Sequence, residues 1–229
     1  MNFTTGGCEK MILSNEKKFI YLRVPKTGST SASVFFFKHL PLEQSIIRTS
    51  DNSVLLRTEN SDQIPKNYFD SEYTFTGGVH ATLEEVMHLG LISHDVSDYD
   101  IYAVCRNPID RLLSFCSMFK KTDNVNILDN FSVFKQYMDT FECSPQSLWL
   151  TYNNSPVNRL FLYDDISLMV NEISAKYGVY DTSAFNEYKL RSYRNNDIQI
   201  SNKILEYIKI IWAEDFEIYE SLVALKNQK

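Results

Sequence analysis

Short apolar runs alternate with amphipathic segments along most of the chain, a pattern that predicts strands alternating with helices. Runs rich in β-branched and aromatic residues predict buried strands over residues 19–24, 100–105 and 158–163. After each run the apolar positions repeat at helical spacing, which predicts helices over residues 32–40, 109–119 and about 165–177. Helices that connect consecutive strands are typical of a parallel sheet covered on both faces, so we predict an α/β fold.

The remaining segments fit this alternation less regularly. Thr82 and Glu85 have the spacing of a capping box, before a predicted helix over residues 83–89. A helix is also predicted over residues 131–141, and a long amphipathic helix from Ser201 onward has a predicted break near Ala213. A short strand is predicted over residues 73–76. Residues 1–17 are interpreted as a lead-in with a short edge element at 11–13, and residues 42–72 as a polar, irregular segment with one strand-like piece at 54–56.

Composition restricts the kind of protein and the kind of partner. The 229 residues carry a formal net charge of −6, which does not favour a nucleic-acid surface. The chain has no repeats or low-complexity linkers, so we predict a single domain over residues 1–229. Its four cysteines lack paired spacing and are expected to be reduced thiols. Residues 1–17 lack the apolar core of a signal peptide, and no apolar run approaches ~18 residues, so we predict a cytoplasmic protein without membrane insertion.

The turn after the first predicted strand carries the clearest chemical signal. It contains Pro25, Lys26 and Gly28, together with four hydroxyl side chains: Thr27, Ser29, Thr30 and Ser31. A helix N-terminus offers unpaired N–H groups and a positive dipole end, to which the lysine adds a full charge. One hydroxyl is enough to cap a helix, so four of them favour a phosphate-type site over a plain cap. The Walker A loop of nucleotide kinases and ATPases is absent, because Lys26 precedes Gly28 where that loop has lysine after its second glycine.

A second candidate site follows the second predicted strand. Arg106 stands at the end of that strand, and Ser114 lies about two turns into the following helix. An arginine fork and a hydroxyl could bind one phosphate at the strand end. Taken alone, these residues fit equally well an Arg106–Asp110 ion pair and a solvent-facing serine.

Together the two motifs resemble those of the PAPS-dependent sulfotransferases, where PAPS is 3′-phosphoadenosine 5′-phosphosulfate. The segment from Pro25 to Ser31 resembles the family's 5′-phosphosulfate loop. Residues 102–115 resemble its 3′-phosphate motif, an apolar strand followed by R-N/D-P-x-x-R-x-x-S. Both motifs stand in the family's order, and the resemblance covers about residues 18–220. The stretch from His80 to Thr82 looks like that of small bacterial relatives of the Golgi carbohydrate sulfotransferases, as do residues 145–147, 163–165 and 215–216.

The resemblance implies a P-loop-like sulfotransferase fold with a central parallel sheet flanked by helices. It implies that PAPS is the co-substrate, that no metal is needed, and that a hydroxyl-bearing acceptor, a carbohydrate in this branch, receives the sulfuryl group. Lys26 would contact the phosphosulfate and residues 25–31 would bind the 5′-phosphate. Arg106 and Ser114 would bind the 3′-phosphate. Residues 42–72, which match the family least, are a candidate segment for acceptor recognition.

His80 is the candidate base, because a neutral histidine near pH 7 can take the proton of an acceptor hydroxyl. A structural or acceptor-binding role for His80 stays open, as does a carboxylate base such as Glu84 or Glu85. Two alternatives to the sulfotransferase also remain. One is a PAPS-binding module without catalysis, and the other is a metal-dependent glycosyltransferase that would use Asp98 and Asp100 as a DxD motif.

Overall fold

The computed structural model describes residues 12–15, 17–39, 45–48, 54–57, 80–88, 92, 95–140, 143–178, 182–183, 185 and 199–228. The described strands are β1 (Ile12–Ser14), β2 (Phe19–Tyr21), β3 (Ser45–Arg48), β4 (Val54–Arg57), β5 (Asp100–Cys105), β6 (Thr151–Tyr152), β7 (Ser155–Pro156) and β8 (Arg159–Leu162). The described helices are α1 (Ser29–His39), α2 (Leu83–His88), α3 (Pro108–Thr122), α4 (Phe131–Met138), α5 (Ser147–Leu150), α6 (Ile166–Tyr177), α7 (Asn202–Ile211) and α8 (Ala213–Lys226).

The central sheet has the strand order β1-β2-β5-β8. Strands β2, β5 and β8 run parallel, and β1 is an antiparallel edge strand. In the register, Tyr102 of β5 lies opposite Tyr21 of β2 and Arg159 of β8. The carboxyl ends of β2 and β5 therefore lie side by side at one edge of the sheet. This is the edge at which open α/β sheets bind ligands.

The two faces of the sheet bury different sets of apolar side chains, because alternate residues of a strand point to opposite faces. Ile20, Leu22 and Ala103 pack on one face with side chains of α2, α5 and α8. Phe19, Tyr21, Tyr102 and Val104 pack on the other face with α1 and α6. A third apolar cluster joins α3, α4 and α7. The predicted α/β fold with helices on both faces of a mostly parallel sheet is confirmed.

Several local predictions are also confirmed. Thr82 and Glu85 form the capping box: the Thr82 N–H donates to Glu85 Oε2 at 2.8 Å, and the Glu85 N–H donates to Thr82 Oγ1 at 3.2 Å. The C-terminal amphipathic segment breaks at Trp212, between α7 and α8. The described cysteines, Cys105, Cys116 and Cys143, are buried thiols. No helix in the described part of the chain has the length and apolar character needed to cross a membrane.

Other local predictions were wrong. Helix α1 begins at Ser29, three residues before the predicted start, so Ser29, Thr30 and Ser31, assigned to the turn, already form the first helical turn. By contrast, the edge element predicted at 11–13 is present as the edge strand β1 over residues 12–14. In the segment 42–72, the strand-like piece predicted at 54–56 is confirmed as part of β4, but its antiparallel partner β3 was not predicted. The sequence offers Asp164 or Asp165 as a side-chain cap for α6, but Asp165 at its N-terminus makes no cap hydrogen bond, and its carboxylate accepts a hydrogen bond from Lys226 Nζ at 2.7 Å. The strand predicted over 73–76 lies outside the described residues, as does most of 42–72.

Candidate active site

The turn between β2 and α1 has two residues with left-handed backbone. Lys26 has φ 66° and Gly28 has φ 75°. For Lys26 this conformation costs about 1–2 kcal/mol, because its Cβ approaches the following carbonyl. Strain of this kind persists where the surrounding structure fixes the backbone, and it is concentrated at functional sites. The loop between the strand end and the helix is thus held in one shape.

Two of the four hydroxyls, those of Thr27 and Ser29, stabilise this loop conformation. Thr27 Oγ1 and Ser29 Oγ each donate to the carbonyl oxygen of Val24 at 2.9 Å, and both residues are buried. Their hydroxyl hydrogens are committed to the loop itself. Thr30 differs, because its Oγ1 accepts a hydrogen bond from Arg23 Nη2 at 3.1 Å and its own O–H can donate to another group. Thr30 and Ser31 are half-buried.

The N-terminus of α1 is suited to an anion. The helix has no acidic side chain in its first turn. The Ala32 N–H donates to the Gly28 carbonyl at 3.3 Å. For the N–H groups earlier in this turn, no carbonyl of the helix lies four residues before them. Such groups and the helix dipole favour negative charge at this end.

Gly28 is required by packing as well as by its φ angle. A Cβ placed on Gly28 would lie 3.0 Å from Cε2 of Tyr163 and 3.1 Å from Cδ1 of Ile166. A positive φ angle and a close neighbour therefore both require glycine at this position. The neighbour that approaches is the start of α6, just after the end of β8.

Arg106 lies at the end of β5 and contacts the loop directly. Its Nη1 donates to the carbonyl oxygen of Lys26 at 2.8 Å. Its guanidinium carbon lies 4.5 Å from the centroid of the Tyr163 ring. The same tyrosine therefore packs against Gly28 and against Arg106. The Arg106–Asp110 ion pair considered from the sequence is replaced by contacts with the loop.

The side chain of Gln146 bonds to both the N–H and the carbonyl of Arg106. The Arg106 N–H donates to Gln146 Oε1 at 3.1 Å, and Gln146 Nε2 donates to the Arg106 carbonyl at 2.7 Å. Ser114, two turns into α3, is buried rather than solvent-facing. The amine of Lys26 lies 5.9 Å from the centroid of the Phe115 ring, so Lys26 extends towards the same turn of α3 as Ser114.

His80 stands before α2 with a defined tautomer. Its Nδ1 lies 2.6 Å from the carbonyl oxygen of Arg23. A carbonyl can only accept, so Nδ1 carries the proton and Nε2 is the unprotonated nitrogen. The backbone is fixed as well, because Trp149 Nε1 donates to the His80 carbonyl at 2.6 Å.

Burial lowers the pKa of His80 to about 3, and the positive charges of Arg23, Arg111 and Lys26 contribute to this lowering. The hydrogen bond to the Arg23 carbonyl opposes it. His80 is therefore neutral at physiological pH, and the carbonyl that its Nδ1 contacts belongs to Arg23, three residues before Lys26. The structure thus brings Lys26, Arg106 and His80 to the same end of the sheet.

Arg111, Asp215 and Gln146 surround this site; they belong to segments that resemble the family, but the sequence assigned them no role. Arg111 Nε donates to the carbonyl oxygen of Pro25 at 3.1 Å, and Arg111 Nη1 lies 3.6 Å from Asp215 Oδ2. For Arg111 and Asp215, the sequence signal of such a role is a charged residue within an apolar stripe. Arg111 falls on the apolar side of α3, and Asp215 falls within the helical spacing of apolar residues near the C-terminus.

Asp98 and Asp100 lie at the opposite end of β5 from Arg106, and both are engaged in ion pairs. Asp98 Oδ2 lies 2.8 Å from Lys18 Nζ, and Asp100 contacts Arg159 and Lys176. Within the ranges that the structure describes, no group of three or more His, Cys, Asp or Glu side chains could hold a metal ion. The described geometry offers no support for a DxD metal site.

A family model described as the sulfotransferase family matches residues 9–220. The match spans both phosphate motifs, His80, Gln146 and Asp215. No curated protein and no solved structure matches the chain significantly.

Proposed function

The chain belongs to the sulfotransferase family, and on this premise we propose that it transfers a sulfuryl group from PAPS to a hydroxyl of a carbohydrate acceptor. Membership itself supports sulfuryl transfer as the reaction class. The observation that carries the choice of PAPS is the hydrogen bond from Arg106 to the Lys26 carbonyl. This bond connects the two phosphate motifs, which follow neighbouring strands. A nucleotide with phosphates at both the 5′ and the 3′ position of its ribose requires two such motifs close together.

The residues present fit this nucleotide. Lys26, the Thr30 hydroxyl and the backbone N–H groups at the start of α1 would bind the 5′-phosphosulfate. Thr27 and Ser29 would act through their N–H groups, because their hydroxyls are bonded to Val24. Arg106 and Ser114 would bind the 3′-phosphate. When bound, PAPS supplies the sulfuryl group and a 5′-phosphate as the leaving group.

The chain's own groups then have distinct tasks. Nε2 of His80 takes the proton of the acceptor hydroxyl as its oxygen forms a bond to sulfur and the bond between sulfur and the bridging oxygen breaks. Lys26 and the N–H groups of the loop stabilise the negative charge that develops on the departing phosphate, an effect worth about 3–4 kcal/mol per preorganised donor. A bound anion would oppose the cations around His80 and so raise its pKa, although burial, the main cause of the lowering, would remain.

A carbohydrate is proposed as the acceptor because the stretch from His80 to Thr82 resembles the carbohydrate branch of the family. Glu85 is less suited to act as the base, since its carboxylate is already bonded to the N–H of Thr82 in the capping box. A non-catalytic PAPS-binding protein would need no base. The unprotonated Nε2 of His80 and the nearby amine of Lys26 favour an enzyme.

Binding is tested first by thermal melting in metal-free buffer. Adenosine 3′,5′-bisphosphate (PAP), the product nucleotide, at 100 times its Kd should stabilise the protein by about 2.7 kcal/mol. For a chain of this size, that raises Tm by roughly 5–10 °C. ATP, and a sugar nucleotide with Mn²⁺, should raise Tm much less. A larger shift with the sugar nucleotide and Mn²⁺ would reject the proposal.

Catalysis is tested by transfer of radiolabelled sulfate from PAPS to pools of polysaccharides and small hydroxyl compounds. Lys26→Met should abolish transfer, whereas Lys120→Met, the same charge change at an exposed site on α3, should leave it intact. His80→Gln should reduce kcat far more than PAP affinity. PAP binding without transfer to any pool would favour the non-catalytic module, and an unchanged kcat in His80→Gln would reject His80 as the base.

A further inference from the structure

Asp215 of α8 is a buried carboxylate that contacts two other elements near the site. Its Oδ2 accepts from the Gln146 N–H at 2.8 Å, and its Oδ1 accepts from the Ser147 N–H at 2.9 Å. Its Oδ2 also lies 3.6 Å from Nη1 of Arg111, and neither side chain of this pair is exposed to solvent. Asp215 therefore connects α8 to the start of α5 and to α3.

Arg111 continues this connection to the anion loop. Its Nε donates to the Pro25 carbonyl at 3.1 Å, and its Nη2 donates to the Ser144 carbonyl at 2.8 Å. Its guanidinium carbon lies 5.0 Å from the centroid of Phe115 and 4.8 Å from that of Trp212. Aromatic rings on α3 and at the α7–α8 break hold the plane of the fork, so the direction of its N–H groups is fixed. The residue that it holds, Pro25, immediately precedes Lys26.

Burying two charged side chains carries a desolvation cost that apolar side chains avoid. Burial lowers the pKa of Arg111 to about 10, so the guanidinium stays charged at neutral pH. Burial also raises the pKa of Asp215, while Arg111 and the N–H groups of Gln146 and Ser147 oppose that rise. Apolar residues of similar volume often replace such pairs without loss of stability. Packing alone therefore does not explain why Arg and Asp occupy these positions. Their directed hydrogen bonds do explain it.

We propose that Arg111 and Asp215 are positioning residues for the transfer reaction, which hold the backbone of Pro25 so that Lys26 and the loop face the 5′-phosphosulfate. This inference rests on the proposed function. It makes α8 and α3 part of the support of the site, although neither Arg111 nor Asp215 is assigned a contact with substrate. The strained backbone of Lys26 is the conformation that this support maintains.

The test separates the two phosphate positions by comparing two probes. PAP has both phosphates, whereas adenosine 3′-phosphate lacks the 5′-phosphate that the loop would bind. The ratio of the two affinities, measured calorimetrically at 10 °C on protein shown to be folded, reports what the loop contributes. In Arg111→Met/Asp215→Asn, which removes both charges and leaves neither unpaired, PAP affinity should fall by about tenfold. Affinity for adenosine 3′-phosphate should fall less than PAP affinity, because Arg106 loses only the indirect support that reaches it from Asp215 through Gln146.

The matched control is Ile208→Ala, which opens a cavity in the buried core of α7 without touching the loop. It should lower Tm and leave the affinity ratio unchanged. If the double variant does not fold, Arg111→Lys serves instead, since one ammonium keeps the charge but cannot reproduce the fork. An unchanged ratio in either folded variant would overturn the inference while leaving the proposed function standing. Failure of the wild-type protein to bind PAP would overturn both.

Discussion

Replacing Gly28 with alanine should damage the loop and the contact of Arg106 together. The added Cβ would sit at φ +75°, which costs an L-residue about 1–2 kcal/mol. It would also lie 3.0 Å from the Tyr163 ring and 3.1 Å from Ile166, and overpacking of this kind costs about 1–3 kcal/mol. Together these terms give a loss of roughly 2–5 kcal/mol. At 2–4 °C per kcal/mol for a chain of this size, Tm should fall by about 4–20 °C.

The same change should weaken nucleotide binding, because Tyr163 must move and its ring supports the Arg106 guanidinium. The assay is thermal unfolding by circular dichroism together with PAP affinity measured below the transition. Gly178→Ala is the matched control. Gly178 also has a positive φ, 89°, but it ends α6, about 18 Å along the helix axis from Ile166. Gly178→Ala should cost stability and leave PAP affinity intact. Wild-type Tm and PAP affinity in Gly28→Ala would refute this reasoning.

Three further predictions concern the groups around the site. Gln146→Leu should lower affinity for PAP but not for adenosine 5′-phosphate, because Gln146 holds the backbone of Arg106; equal losses for both ligands would contradict this. Thr30→Val should weaken PAP binding with little loss of stability. Thr27→Val, which loses a buried bond within the loop, should mainly lower the free energy of unfolding, by the ~1 kcal/mol of one hydrogen bond; calorimetry and melting distinguish the two. In the free protein, ¹⁵N-detected NMR should find His80 protonated on Nδ1 and neutral from pH 8 to pH 5. Since the unfolded chain protonates near pH 6.5 and the folded one near 3, His80 should cost stability as the pH falls below ~6.5; a titration near 6.5 in the folded protein would contradict its burial.

The parts of the fold that follow from local sequence could be predicted. Strand β5 combines an apolar run with the Arg106-Asn107-Pro108 sequence, and Asn107 caps α3 through its side chain. The Thr82–Glu85 box depends only on residues three apart. The start of α1 was missed because serine and threonine favour both turns and first helical turns, and the contact of Gly28 with Tyr163 that fixes the turn cannot be read from neighbouring residues.

The candidate site divides in the same way. Lys26, Arg106 and Ser114 belong to contiguous motifs, so they could be selected from the sequence. Their support comes from residues far apart in the chain: the Arg111–Pro25 bond joins residues 86 positions apart, and the Asp215–Gln146 bond joins residues 69 positions apart. Such pairs depend on how helices pack, which local patterns do not specify. The tautomer of His80 likewise depends on a carbonyl 57 positions away.

In the proposed function, one nucleotide spans the ends of β2 and β5, with its 5′-phosphate on the Lys26 loop and its 3′-phosphate on Arg106. Calorimetric titration of the wild type and of Arg106→Met with PAP and with adenosine 5′-phosphate tests this directly. The wild type should prefer PAP by at least about tenfold, and Arg106→Met should bind both ligands about equally well. A wild-type protein that binds the two nucleotides alike, or an Arg106→Met variant that keeps the preference for PAP, would contradict the claim.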